Sequence, residues 1–169
     1  MIKQKFCIDN REISSNFPPY VIAEVSANHN GSIQRAKDTI LAAKNAGVDA
    51  VKIQTYTPDT MTIDVENTDF YIKEGLWKNR SLYDLYREAY TPYEWHEELF
   101  KFSNDIGVTL FSSPFDESAV DLLVSLNVPA FKVASFEVVD LPLIKYIASK
   151  KKPILMSTGM ASLEEIGNA

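Results

Sequence analysis

The sequence predicts an α/β protein built from repeated strand–helix units around a parallel sheet. Three observations predict it. Apolar runs of strand length alternate with segments of helical spacing, the ends of the third, fourth and fifth strands recur roughly every 22 residues, and polar side chains gather at one end of every strand. At 169 residues, 46% of them hydrophobic, the chain can fill one sizeable core, and no composition shift marks a boundary between domains.

After a mixed, polar N-terminal stretch closed by Pro18-Pro19, the apolar run from Tyr20 to Val25 has the pattern of a buried strand. Asn28-His29-Asn30-Gly31 is a loop signal. Ile33, Ala36, Ile40, Leu41 and Ala43 then fall at helical spacing before Gly47, a C-terminal cap. A second strand spans 50–55. The segment 56–90 is long for a strand-to-helix connection and rich in aromatic, acidic and turn residues, so it is expected to be a functional loop, the plainer alternative being a surface excursion with a short helix at 81–89. Thr91-Pro92-Tyr93-Glu94 has the form of a capping box with proline in the first turn, opening a helix that runs to Gly107. Strands at 109–113, 130–135 and 154–157 alternate with helices at 116–126 and 141–150, and a last helix opens at Ser162.

The net charge of −6 lacks the basic footprint that a phosphate backbone demands, so nucleic acid is not an expected ligand. Cys7 is the single cysteine, and neither a secretory leader nor a membrane-length apolar run is present, so a cytoplasmic protein is expected. Nucleophilic triads, cysteine metal clusters, Walker loops and dinucleotide glycine fingerprints are missing.

Strands buried on both faces are nearly continuous in apolar residues, so polar groups inside them need a reason. Here the strands end in Glu24 and Ser26, in Lys52 and Gln54, in Ser112 and Ser113, in Lys132 and Ser135, and in Ser157 and Thr158. Alternation sets Lys52 and Gln54 opposite Val51 and Ile53, and Lys132 and Ala134 opposite Phe131 and Val133. The apolar sets then face the helices and the lysines face inward. A buried ammonium is costly unless an anion meets it, so two of them predict a dianionic guest, with Ser113, Ser135 and Ser157 as further donors. The plainer alternative is a ligand-free ion pair between Lys52 and Glu24, which leaves Lys132 without a named partner.

Glu24, the one strand-end acid apart from the loop carboxylate Glu137, is suited to orient or deprotonate a water. A Schiff-base lysine needs a neutral amine, whereas hydroxyl donors beside Lys52 and Lys132 suit charged ones. His29 belongs to a turn and helix cap by default. His96 is expected to pack or face solvent. Asn30, Trp77, Trp95 and the tyrosines of the insertion are open to sugar contacts, although aromatic residues are core by default.

Ile22-Ala23-Glu24-Val25-Ser26-Ala27-Asn28-His29-Asn30-Gly31, Ala50-Val51-Lys52-Ile53-Gln54-Thr55, Phe111-Ser112-Ser113-Pro114-Phe115, Phe131-Lys132-Val133-Ala134-Ser135 and Ser157-Thr158-Gly159-Met160 together resemble the successive strand ends of the sialic acid synthase family. Gln54-Thr55-Tyr56-Thr57-Pro58-Asp59, Gly75-Leu76-Trp77 and Thr91-Pro92-Tyr93-Glu94-Trp95-His96 resemble its pseudaminic rather than its neuraminic branch. The resemblance covers nearly all of the chain after Pro19.

It implies a (β/α)8 TIM-barrel type of fold, incomplete, with about the first five βα units present. Residues 1–169 would be the N-terminal part of a synthase domain, with a C-terminal antifreeze-like domain in the full-length protein. It implies condensation of phosphoenolpyruvate with the N-acetylated amino sugar 2,4-diacetamido-2,4,6-trideoxy-altrose to a nonulosonic acid used on surface glycans or flagellin, with release of phosphate. It also implies a homodimer and a divalent metal, Mn2+ or Mg2+, whose ligands are expected beyond Ala169. Carried over by motif, Lys52, Ser113, Lys132, Ser135 and Ser157 would hold phosphoenolpyruvate, with Glu24 beside the reacting carbon and Gln54 and Asn28 near it. An N-acetylneuraminic or legionaminic acid synthase shares these strand ends. A non-catalytic anion-binding barrel fragment is the alternative if the chain is complete as given. Unpaired sheet edges and an uncovered apolar face are expected, and with them a truncated chain that is sticky and inactive by itself.

Overall fold

The computed structural model describes residues 6–169. Its first element is an antiparallel hairpin of β1 (Phe6–Ile8) and β2 (Arg11–Ile13), turning at Asp9 with φ 55°. Ile8 is fully buried in the core. Thr109, which opens the later strand β5 (Thr109–Pro114), donates to Asp9 at 3.1 Å, and Arg11 pairs with Asp49. The hairpin therefore packs where the parallel strands begin, at the pole opposite their polar ends. The sequence showed only a mixed stretch here, because strands of three residues are too short to display a period.

β3 (Ile22–Glu24) leads through α1 (Ile33–Asn45) to β4 (Ala50–Thr55). The insertion then folds as α2 (Pro58–Met61), a 3-10 turn at Thr68–Phe70, and α3 (Leu82–Ala89) capped by Ser81. Tyr56, which follows β4 directly, anchors it by edge-on contacts with Tyr86 of α3 and with Phe115 just past β5. α4 (Tyr93–Ile106) crosses to β5, α5 (Glu117–Ser125) to β6 (Phe131–Val133), and α6 (Leu141–Ser149) to β7 (Ile154–Met156), with α7 (Leu163–Asn168) last. The five strands β3 to β7 are all parallel and lie in sequence order. This is an incomplete run of a (β/α) barrel with β3 and β7 as its edges.

Local chemistry explains most boundaries. Ser32, Asp116, Asp140 and Ser162 each accept a backbone N–H in the first turn of the helix they open. α4 departs from expectation: Pro92 is its N-cap without a side-chain cap, and the Thr91 hydroxyl turns instead to His29 Nε2 at 3.2 Å. The outer strands are shorter than expected, although Val25 N–H still donates to Lys52 O and Ser157 N–H to Val133 O, so the ladders run on past the strand ends. Ser135 is not extended. Its backbone is already helical, at φ −66° and ψ −34°, where the chain enters a 3-10 turn at Phe136–Val139 that closes onto Asp140, the cap of α6.

Register settles the two faces of the sheet. Glu24 lies beside Lys52, Lys52 beside Phe111, Gln54 beside Ser113, and Lys132 beside Leu155, so these residues share the inner face. Val51, Ile53, Leu110, Phe131 and Val133 face the helices and join Ile40, Leu99, Leu123 and Ile147 in the core. Phe136, Val139, Leu141, Met160 and Leu163 are exposed around the last βα unit, an uncovered apolar surface of the kind expected of an incomplete barrel. Among the described residues no helix is long and apolar enough to cross a membrane.

Candidate functional site

The polar ends of the strands form the candidate site. Lys52 is buried on the inner face of β4, and its Nζ stands 3.5 Å from Glu24 Oε1. The Glu24 side chain is 60% exposed, so this pair is long and open to solvent on its acidic side. Lys132 is half-buried and donates to its neighbour's carbonyl, Val133 O, at 2.8 Å. No ion pair of Lys132 occurs among the described residues. Its pKa is lowered, first by burial and then by the positive charge of Lys52, with the carboxylates of Glu24 and Glu137 pulling the other way. Register sets both lysines on the inner face at the C-terminal ends of their strands. The two lysines share this pole with Glu24, which is mostly exposed, and Glu137, whose charge burial disfavours, an arrangement suited to holding an anion.

Ser113 is fully buried next to Gln54 in the ladder. Ser135 faces the loop after β7, where a methyl group built on Gly159 would lie 3.7 Å from Ser135 Oγ. Ser157 continues β7 through its bond to Val133. Asn28 is committed locally: its amide donates to Val25 O at 2.9 Å and closes its own loop. Ser112 differs from the other strand-end residues, because it faces outward, 2.6 Å from the Thr55 hydroxyl, toward α4.

Two features escaped the sequence reading. Glu137 is more than a loop carboxylate. Its Oε2 is buried without a hydrogen-bond partner among the described residues, and burial raises its pKa against the opposing charge of Lys132. Its position, five residues after Lys132 in the turn that follows the strand, was the available signal. The histidines are the second. His96 is completely buried, donating from Nδ1 to Pro92 O at 3.0 Å and accepting at Nε2 from Thr55 at 2.8 Å. His29 is buried too. Its Nδ1 accepts from Gly31 N–H, and its ring meets Trp95 edge-on at 5.4 Å.

Burial holds both histidines below their ordinary pKa of 6.5. Unfolding lets them protonate at that ordinary value, so the folded state loses stability as pH falls below it and is unaffected above it. The slope is at most about 1.4 kcal/mol per pH unit for each imidazole. Urea midpoints at about pH 7 and about pH 5.5 should differ accordingly, and His96→Gln should shrink the difference. An unchanged difference in that variant would show that His96 does not carry the effect.

Among the described residues no three of histidine, cysteine, aspartate and glutamate stand together as a metal site. Both imidazoles are already engaged. The described residues do not fit a metal centre.

A model described as the NeuB family matches residues 39–169. A pseudaminic acid synthase of Campylobacter jejuni is 50% identical over 147 residues, covering 87% of this chain and 43% of that protein. One of Helicobacter pylori is 47% identical over 152 residues, covering 90% and 45%. An N,N'-diacetyllegionaminic acid synthase of Legionella pneumophila is more distant, at 36%. Among solved structures, an N-acetylneuraminic acid synthetase from Leptospira borgpetersenii, in complex with citrate, superposes with a TM-score of 0.83 at 26% identity, covering 97% of this chain and 53% of that one. The chain spans less than half the length of the curated relatives it matches.

Proposed function

The chain belongs to the NeuB family, and on that premise we propose that the whole protein condenses phosphoenolpyruvate with 2,4-diacetamido-2,4,6-trideoxy-altrose to a nonulosonic acid, releasing phosphate. The observation that carries the reading is that register turns Lys52 and Lys132 to the same face at the C-terminal ends of their strands, with Lys52 only loosely paired to Glu24. Phosphoenolpyruvate carries its phosphate and carboxylate a few bonds apart, which suits two fixed ammonium groups better than either anion alone would. The choice of sugar rests on the relatives, since the pseudaminic acid synthases are 47–50% identical and the legionaminic acid synthase 36%.

In this reading Lys52 and Lys132 hold the two acidic groups, and the hydroxyls of Ser113, Ser135 and Ser157 complete the cradle. C3 of phosphoenolpyruvate attacks the sugar aldehyde and forms the new C–C bond as the C=C and C=O π bonds break. The aldehyde oxygen takes a proton from solvent to become a hydroxyl, and C2 becomes an oxocarbenium centre. Water adds at C2 beside Glu24, which takes its proton, and the C2–O bond then breaks to release phosphate. Gln54, the side-chain oxygen of Asn28 and the buried carboxyl of Glu137 are polar groups suited to the sugar. The divalent cation implied by the resemblance, Mn2+ or Mg2+, finds no ligand set among the described residues, so none of these steps runs through it. A homodimer and a cytoplasmic location go with the same reading, as does the placing of residues 1–169 at the start of a barrel domain followed by an antifreeze-like one.

Phosphate release by the full-length protein, assayed with the altrose-type sugar and with mannosamine derivatives, tests the proposal. Release with the altrose-type sugar is expected. Release with a mannosamine alone would reject the choice of branch, and no release with any sugar would reject catalysis.

A further inference from the structure

The first turn of α4 touches three successive strand ends. Thr91 and Trp95 meet His29 in the loop after β3, His96 meets Thr55 at the end of β4, and Thr55 meets Ser112 of β5 at 2.6 Å. His29, Thr55, Thr91, His96 and Ser112 are all buried. Hydrogen positions follow from elimination. Pro92 O can only accept, so His96 Nδ1 carries the hydrogen and Nε2 accepts the Thr55 hydroxyl. Thr55 has then used its one hydrogen, and Ser112 shares its own between the Thr55 hydroxyl at 2.6 Å and the Ile53 carbonyl at 3.1 Å. The chain of donors runs one way, from Ser112 through Thr55 and His96 to the Pro92 carbonyl.

Each strand member adjoins a residue of the proposed site, Gln54 on the sugar side and Ser113 in the cradle. Thr55 follows Gln54, and Ser112 precedes Ser113, the residue paired with Gln54 across the ladder. Because side chains alternate, a hydroxyl fixed on the outer face fixes the backbone that aims its neighbour inward. Apolar contacts alone are non-directional and would not set that orientation.

We propose that His96 is a positioning residue: by accepting the Thr55 hydrogen bond it holds the ends of β4 and β5 so that Gln54 and Ser113 meet the substrate. The proposal rests on the reading of this pole as a phosphoenolpyruvate cradle. His96 itself stands on the outer face and touches no cradle side chain.

The test compares His96→Leu, which removes the acceptor, with His96→Gln, whose amide oxygen can replace Nε2. Thr55→Val removes the donor instead and serves if His96→Leu does not fold. Phosphoenolpyruvate affinity and the hydrogen exchange of the Gln54 and Ser113 amides are measured in the full chain. His96→Leu should weaken binding on the order of tenfold to a hundredfold and speed exchange at both amides, and His96→Gln should return affinity to within about threefold of the parent. Parental affinity in His96→Leu, or equal impairment in both variants, would overturn the proposal. If the parent binds no phosphoenolpyruvate, the cradle reading fails separately. Exchange then decides the positioning role, with loss in His96→Leu and recovery in His96→Gln supporting it, and equal protection in all three proteins overturning it.

Discussion

Lys132→Ala is expected to weaken phosphoenolpyruvate binding by about a hundredfold or more, corresponding to roughly 3 kcal/mol for a charge-assisted contact in a partly buried site. Lys132 has no ion pair among the described residues, and Lys52 already has Glu24 at 3.5 Å. Removing Lys132 therefore takes away the positive charge that is free for the ligand. Stability should move the other way, or not at all. Burial and Lys52 lower the folded pKa of Lys132, so at neutral pH its charge opposes folding, and deleting it relieves that opposition. Calorimetric titration with thermal denaturation separates the two effects. Parental affinity in the variant would remove Lys132 from the site, and a large fall in melting temperature would make it a structural residue.

Phe111→Ala should lose about 3–5 kcal/mol of stability. Phe111 is fully buried and sits beside Lys52 in the ladder, so its removal opens a cavity directly under the cradle. Folded domains hold roughly 5–15 kcal/mol in total, which makes this a large fraction of the whole. Urea unfolding measures it. Leu76→Ala, at a side chain 95% exposed, is the reference and should stay within about 0.5 kcal/mol. A loss below about 1 kcal/mol at Phe111 would mean that the inner face is not close-packed there.

The strand and helix alternation was legible because its signals are local. Ser32, Ser81, Asp116, Asp140 and Ser162 announce helices as caps, and the helical spacing after each of the longer ones confirms them. The hairpin at β1 and β2 was not legible, since its stability comes from burying Ile8 and from bonds to Asp49 and Thr109 that lie far away in sequence. Thr91 shows the same limit. Its capping pattern was local, but a buried imidazole offered the hydroxyl a different partner. At the site, alternation along β4 and β6 was enough to turn Lys52 and Lys132 to one face. It could not find the outward hydroxyl of Thr55 a purpose, because its partner, His96, arrives on a helix 41 positions further on. Glu137 was legible as a loop carboxylate but not as a buried one, because the 3-10 turn at Phe136–Val139 that buries its Oε2 leaves no strand or helix period in the sequence.

The account depends on Lys52 and Lys132 sharing one anion. A crystal structure with phosphoenolpyruvate bound measures this directly. Both Nζ atoms should lie about 3 Å from oxygens of one bound molecule, at the C-terminal ends of β4 and β6. A molecule bound at another pole, or held by one lysine while the other turns toward the helices, would contradict it.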